Sequence, residues 1–274
     1  MSQTVVITGG ATGMGAATVE RLLAKGCEVY LLDIAEPTEG AVTYIPCDLS
    51  DPAQIDAAVA ALPAQIDSLV NVAGIPGPQP GELVVRVNFL GLRKLTDALL
   101  PRISDGGSVV IVASVAGRDW MRRHDVVTGL LDTADFDAGV DWCRGNEERW
   151  AKDPYTFSKQ CAVAYTLRAA GQERQRGVRV NCVNPGAVET QLTPNFRDQI
   201  GHEQYDWTLQ QVPHAQPMQI AEVIEYFAIG ECSWLNGVEV PVDGGFVAGV
   251  GGGWINFAES PAAKARAARK QQSA

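Results

Sequence analysis

Seven short runs of consecutive apolar residues, many of them β-branched, punctuate the chain: TVVITG (4–9), EVYLLD (28–33), VTYIPCD (42–48), SLVNVAG (68–74), SVVIVAS (108–114), VRVNCVN (178–184) and VEVPVD (238–243). A strand with one wet face alternates apolar and polar positions; these runs do not, which marks strands buried on both faces. Between them the apolar positions recur at helical spacing. Residues 13–25 carry Val19, Leu22 and Leu23 on one face and stop at Gly26, a natural C-cap. Ser50 is placed to cap a helix running through Leu62, and residues 82–100 form a third that stops before Pro101. Asp153 as N-cap and Pro154 as first helical residue begin a fourth, which ends near Gly171. Repeated strand–helix units predict an α/β fold: a doubly wound, seven-stranded parallel sheet with helices on both faces, in a single domain over residues 1–248.

Three segments interrupt the rhythm. Residues 115–153 are far longer than an ordinary strand-to-helix connection. Val127, Leu130, Leu131 and Ala134, then Phe136, Val140 and Cys143, predict two short helices there. Residues 191–216 separate the sixth strand from the next helix. Residues 249–274 open glycine-rich and continue rich in Ala, Lys and Arg, the composition of a flexible or frayed end.

Composition narrows the class. The 274 residues are 46% hydrophobic and 20% charged, ordinary for a globular protein, but the net charge is −10. An acidic surface is the wrong sign for nucleic acid or an anionic membrane. No stretch approaches the ~20 apolar residues of a membrane span, and MSQTVVITGG lacks the features of a signal peptide. The six cysteines include no C-x-x-C pair and read as reduced core thiols of a cytoplasmic protein. None of the histidines, His124, His202 and His214, stands at ligand spacing, so no metal site is expected.

Candidate chemistry begins where the first strand ends, in TGGATGMG (8–15). Gly9, Gly13 and Gly15 fall on a strand-to-helix turn, where bare backbone and a helix N-terminus suit a pyrophosphate. The second strand ends at Asp33, about 20 residues on, the place of an acid that hydrogen-bonds an adenosine ribose. That carboxylate repels a 2′-phosphate, no Arg or Lys follows at 34–38, and Thr12 rather than a basic residue precedes Gly13; all favour NAD(H) over NADP(H). Further on, Tyr155 and Lys159 are one helical turn apart. A free phenol titrates near ~10, too high for a base at neutral pH, and a neighbouring ammonium favours the phenolate. Ser114 ends the fifth strand, where open α/β sheets place ligands.

Taken together these motifs resemble the short-chain dehydrogenases/reductases, classical type, over roughly residues 3–247. The resemblance implies a single-domain Rossmann fold. TGGATGMG matches the family's T-G-x-x-x-G-x-G, adding Thr12 and Met14 to the cofactor contacts, and Ile34 follows the ribose acid. CDLS (47–50) matches the adenine-contacting segment, with Asp48 and Leu49; NVAG (71–74) matches N-N-A-G, with Asn71, Ala73 and Gly74 conforming and Val72 replacing an asparagine. NPGAVET (184–190) matches the segment after the sixth strand, implying nicotinamide contacts from Pro185, Gly186, Val188 and Thr190. Asn88, Ser114, Tyr155 and Lys159 match the catalytic tetrad. The implied roles are Tyr155 as acid/base, Lys159 as ribose ligand and the charge that lowers the tyrosine pKa, Ser114 as carbonyl orienter and Asn88 as holder of a water. The long 115–153 insertion resembles the branch with bacterial 3α-hydroxysteroid dehydrogenase/carbonyl reductase and coniferyl-alcohol dehydrogenase. In most members the tyrosine helix packs in a subunit interface; an insertion beside it favours a homodimer over a tetramer.

The expected partner is a small hydrophobic alcohol or ketone, of aryl, terpenoid or steroid type. Phe196, Tyr205 and Trp207 in the 191–216 substrate loop, with Trp120, Met121, Trp142 and Trp150 from the insertion, supply an aromatic lining or simply pack the two segments. Arg118, Arg122 and Arg123 offer recognition of a carboxylate or a solvated face. The alternatives are a ketoacyl-type reductase and a catalytically silent nucleotide-binding member of the same fold.

Overall fold

In the computed structural model, which describes residues 2–38 and 40–272, the apolar runs become β1 (Thr4–Thr8), β2 (Glu28–Asp33), β3 (Thr43–Pro46), β4 (Ile66–Asn71), β5 (Ile103–Val112), β6 (Arg179–Pro185) and β7 (Glu239–Val242). All pair in parallel, in the order β3-β2-β1-β4-β5-β6-β7. The chain winds outward from β1 to β3, then restarts beside β1 with β4 and winds the other way. The point of reversal, between β1 and β4, is where such sheets open a crevice at the strands' carboxyl ends. Val5, Val6, Ile7, Leu69, Val70, Val109, Val110 and Ile111 are fully buried, as continuous apolar runs require.

Helices cover both faces. The first core layer lies beneath α1 (Gly13–Ala24) and, far along the chain, α11 (Pro217–Ile229), where Val19, Leu22, Ile220, Ile224 and Phe227 meet the sheet. The opposite layer holds α2 (Pro52–Ala61), α4 (Leu92–Leu99) and the long α8 (Pro154–Glu173), with Ile55, Leu95, Leu99, Phe157, Cys161 and Val163 buried. The N-cap of α2 is Asp51 rather than Ser50: its carboxylate accepts from the Ala53 amide at 2.9 Å. Asp153 caps α8 as its sequence position predicts, accepting from Thr156 at 3.1 Å.

The helix expected over 82–100 is broken. It starts as α3 (Gly81–Val85), widens into a π-helical turn over Arg86–Gly91, and resumes as α4. Asn88 sits in that turn, and π-turns inside α-helices concentrate at functional sites. The insertion forms a 3₁₀ segment (Val115–Arg123), α5 (His124–Leu131), α6 (Phe136–Gly145) and α7 (Glu147–Trp150). It packs on the outer side of α4 and α8. Arg93, 5% exposed, donates to the carbonyls of Leu130, Thr133 and Asp135 at the junction of α5 and α6, tying the insertion to α4.

The substrate-loop region folds as α9 (Thr193–Ile200) and α10 (His202–Gln211). The end expected from residue 249 to be flexible or frayed holds the second half of α12 (Phe246–Gly252) and all of α13 (Pro261–Gln272), and it returns to α10. The Ala262 amide donates to Gln204 at 2.9 Å, Trp207 meets the edges of Phe246 and Phe257, and Ser260 is fully buried. All six cysteines are buried and free. Among the described residues no helix is long and apolar enough to cross a membrane, and no cluster of ligating side chains suits a metal.

Candidate active site

The glycine turn after β1 is a space that side chains would fill. Gly9 has φ +70°, and a Cβ on Gly15 would stand 1.9 Å from the Gly9 carbonyl oxygen. Thr12 is the extended N-cap of α1, and Met14 packs against the core beneath that helix. Asp33, at the end of β2, accepts from the Ala11 amide at 3.0 Å and from Ala35 at 3.1 Å. Its carboxylate is therefore clamped at the rim of the turn, and beside it Ile34 is 76% exposed, an apolar shelf over an otherwise polar edge. Asp48 accepts from Ser50 at 2.7 Å and Leu49 is buried against Gly91. Thr190 reaches across from the loop after β6: its Cγ2 lies 3.5 Å from the point a Gly13 Cβ would occupy. Pro185 ends β6, Gly186 continues its pairing with β7 through Val242, and Val188 bridges to Ala215.

Between these two ends lies the segment after β4. Asn71 is buried, its amide donating to Thr96, and its Oδ1 has no partner. A buried carbonyl oxygen left open at the switch point of the sheet is a group awaiting a donor. Ala73 donates to the Thr8 hydroxyl at 3.2 Å, which fastens this segment to the glycine turn. Gly74 then faces two predicted catalytic groups: a Cβ there would lie 3.3 Å from both Asn88 Oδ1 and Lys159 Nζ.

The four predicted catalytic residues converge here from three elements. Asn88 is fully buried in the π-turn; its Oδ1 accepts from Ile75 at 2.8 Å and its amide donates to the Ile75 carbonyl at 3.0 Å and to Ser158 at 3.2 Å. With all these atoms engaged, its side chain is a brace. Lys159 is 4% exposed and donates to the Val112 carbonyl at the end of β5, 3.0 Å away. Its Nζ stands 5.9 Å from the centre of the Tyr155 ring. The Ser114 hydroxyl, two residues beyond β5, lies close enough to the phenol to act on its pKa and accepts from Ala116 at 3.2 Å.

The electrostatics differ from the expectation. Burial pushes the Tyr155 phenol up to about 12, with the nearby Ser114 hydroxyl opposing the rise and Asp153 adding to it. The lowering expected from Lys159 does not prevail, because burial acts on the lysine too and holds it down to about 8, against a small opposing pull from Cys182. Each group is driven toward its neutral form, as desolvation dictates. Tyr155 is itself half-buried, and part of its cover is α9, whose Phe196 ring lies 5.2 Å edge-on to it. Gln199 of the same helix accepts from the Gly77 amide at 2.7 Å, closing α9 onto the loop after β4. Gln199, Ser158 and Ile75 escape sequence reasoning; their roles come from long-range contacts with no local motif.

The insertion's aromatic side chains do not line the site. Trp142 and Trp150 stack on Phe157 at 6.2 and 6.0 Å, Trp120 stacks on His124, and Met121 is 63% exposed. Phe157 follows Tyr155 by two residues and so points to the other side of α8. The aromatic lining comes instead from Phe196, with Tyr205 and Trp207 supporting it from behind: Tyr205 hydrogen-bonds His214 at 2.7 Å.

Comparison with known proteins agrees with this architecture. A family model described as short chain dehydrogenase matches residues 3–124, and one described as Enoyl-(Acyl carrier protein) reductase matches residues 143–247. Coniferyl-alcohol dehydrogenase of Pseudomonas sp. (strain HR199 / DSM 7063) is 35% identical, over 88% of this chain and 95% of that protein. The 3-alpha-hydroxysteroid dehydrogenase/carbonyl reductase of Comamonas testosteroni is 29% identical with the same coverage. Among solved structures, the 3-alpha-hydroxysteroid dehydrogenase from Pseudomonas sp. B-0831 complexed with NADH superposes with a TM-score of 0.74 at 28% identity, over 93% of this chain and all of that one.

Proposed function

The chain belongs to the short-chain dehydrogenase/reductase family of oxidoreductases, and we propose that it is an NAD(H)-dependent, cytoplasmic, homodimeric enzyme that interconverts a hydrophobic alcohol and its carbonyl. The observation that carries this reading is the convergence of Ser114, Tyr155, Lys159 and the Asn88 brace beside the glycine turn, at the carboxyl ends of β4 and β5. The residues fit a dinucleotide: the turn has no room for side chains at Gly9 and Gly15, and Asn71 keeps an open acceptor. Gly9 to Gly15 would hold its pyrophosphate, Asp33 the adenosine ribose, Asp48 and Ile34 the adenine, and Lys159 the nicotinamide ribose. Pro185, Gly186, Val188 and Thr190 would hold the nicotinamide. A carboxylate at Asp33 favours NAD over NADP by excluding a 2′-phosphate.

When bound, the nicotinamide supplies the hydride donor or acceptor. Tyr155 Oη gives its proton to the carbonyl oxygen in reduction and takes it from the alcohol in oxidation. Ser114 Oγ donates to the same oxygen and fixes its distance from the phenol. Lys159 offsets the negative charge that appears on Tyr155 as the proton leaves. Phe196 covers the pair, excludes water and presents a ring to an apolar substrate. The substrate class follows the relatives named above and this cover: an aryl, terpenoid or steroid skeleton.

The test is Tyr155→Phe, followed by NADH absorbance over a panel of aromatic, terpene and steroid alcohols. Turnover should fall at least ~10²–10⁴-fold, the usual contribution of a positioned acid/base, with NADH affinity unchanged. Near-wild-type turnover in this variant would remove Tyr155 from the reaction.

A further inference from the structure

Arg118 stands out among the cations: the residue is half-buried and its Nε is fully buried. It follows Ser114 by four residues on the 3₁₀ segment, directly after Gly117, which packs on the backbone of Lys159. Its neighbours on that segment are occupied: Arg122 pairs with Asp119, and Arg123 donates to Gln160 and lies over the Phe157 ring. Arg118 makes no hydrogen bond or ion pair with any described residue, and its Nε is buried without a partner. Buried guanidinium donors are ordinarily satisfied, so an open one marks a place where a ligand supplies the acceptor.

The guanidinium lines a cavity of about 580 Å³ whose other wall is the corner after β7: Pro241, Val242, Asp243, Gly244, Val247 and Ala248. The volume is within the range of small-molecule sites. Arg118 lies four residues beyond Ser114, and the opposite wall backs onto the proposed nicotinamide segment, since a Cβ on Gly186 would lie 2.8 Å from Asp243 Cβ. The cavity thus neighbours the reaction centre without sharing its lining residues. Asp243 does not serve as the missing counter-ion: its two oxygens accept from the Gly245 and Val247 amides, each at 2.9 Å, and it forms no ion pair with Arg118. What remains is a cation at the edge of a mainly apolar space.

We infer that Arg118 forms an anion subsite, and that the substrate is a hydrophobic hydroxy or oxo acid whose carboxylate pairs with this guanidinium while its apolar body lies against Val242, Val247 and Ala248. A monoanion fits better than a phosphate ester, because one arginine faces the space, Asp243 is in its wall and the chain carries a net charge of −10. This assignment deepens the alcohol/carbonyl reading above and rests on it for the word substrate; the anion site itself does not.

The two are separated by measuring binding as well as turnover. In calorimetry with the NADH-loaded chain, inert cinnamate should bind about ten-fold more tightly than neutral cinnamamide, the worth of one charge-assisted pair. Arg118→Leu should erase that preference and Arg118→Lys should keep part of it, with both variants melting at the wild-type temperature. In turnover, Arg118→Leu should raise KM for para-(hydroxymethyl)cinnamate about ten-fold and leave its kcat, and both constants for the methyl ester, unchanged. Equal affinity for acid and amide in the wild type overturns the subsite, as does a preference that survives Arg118→Leu. If Arg118→Leu instead changes the mass in light scattering and leaves acid binding intact, Arg118 belongs to a contact between copies and the proposal falls. Arg118-dependent binding of cinnamate without oxidation of any alcohol would sink the reaction while the anion site stands.

Discussion

The central pair, Tyr155 and Lys159, is held in a tension that local sequence does not reveal. Their one-turn spacing and the nearby Ser114 were legible, and so were the glycine turn and Asp33, because each depends on neighbours in the chain. The charge state was not, because it depends on how completely α9 covers the phenol. With Tyr155 at about 12 and Lys159 at about 8, the pair carries two protons below pH 8 and one above it. The first proton to leave belongs to the pair as a unit. Reduction needs the two-proton form, with a phenol to donate and an ammonium to stabilise the phenolate left behind. Oxidation needs the one-proton form, in which phenolate with ammonium is a tautomer of phenol with amine. We therefore expect kcat/KM for carbonyl reduction to hold at low pH and fall as pH rises through about 8. For alcohol oxidation it should rise through the same region. Lys159→Met should remove both inflections; profiles that keep them would assign the titration to another group.

At the scale of elements, the apolar runs and helix caps were enough to place every strand and the long α8, because strand burial and capping are written in a few adjacent residues. Two things were hidden. The π-turn at Asn88 has no local signal; the Asn88 side chain it carries is held by Ile75 and Ser158, 13 and 70 residues away. The side of α8 covered by the insertion was equally hidden, since helical periodicity says that Phe136, Val140 and Cys143 share a face but not what Trp142 and Trp150 pack against. They bury Phe157, so the insertion supports α8 from outside, while α12 and α13 support the lid through Trp207. Paired substitutions should separate these jobs. Trp150→Ala removes a 4%-exposed ring and the hydrogen bond from its Nε1 to the Cys143 carbonyl, and should cost roughly 3–5 kcal/mol in denaturant unfolding with KM little changed. Trp207→Ala, in a half-exposed aromatic cluster, should change the unfolding midpoint less but raise KM and speed proteolytic cutting within 191–211. The opposite pattern, with Trp150→Ala raising KM and Trp207→Ala sparing it, would return the insertion's aromatic residues to the substrate pocket.

The whole molecule has surfaces that its own chain leaves uncovered. The insertion occupies the outer side of α4 and α8, where Trp142, Trp150 and Phe157 are stacked and Arg93 is sealed in, so that face offers helices already packed. The sheet's two edges are β3 and β7, and they are unequal. β3 ends in Pro46, a weak template for pairing, and its neighbourhood is polar. β7 is a partly exposed edge, and beside it α11 and the turn that follows present Tyr226 at 49%, Leu235 at 37% and Trp234 at 97% exposure. A fully exposed tryptophan next to an unpaired strand is a liability for a lone chain and a ready interface for two, joined by strand pairing and a shared apolar patch. A closed two-fold contact of this kind uses the edge up, and the α4/α8 side is already covered by the insertion. Light scattering should accordingly give twice the chain mass at micromolar concentration. Trp234→Glu, which places a charge in the centre of the patch while touching nothing in the core, should yield monomer with unchanged NADH affinity. A tetramer, or a dimer indifferent to this substitution, would place the interface on another face and make the insertion its builder rather than its barrier.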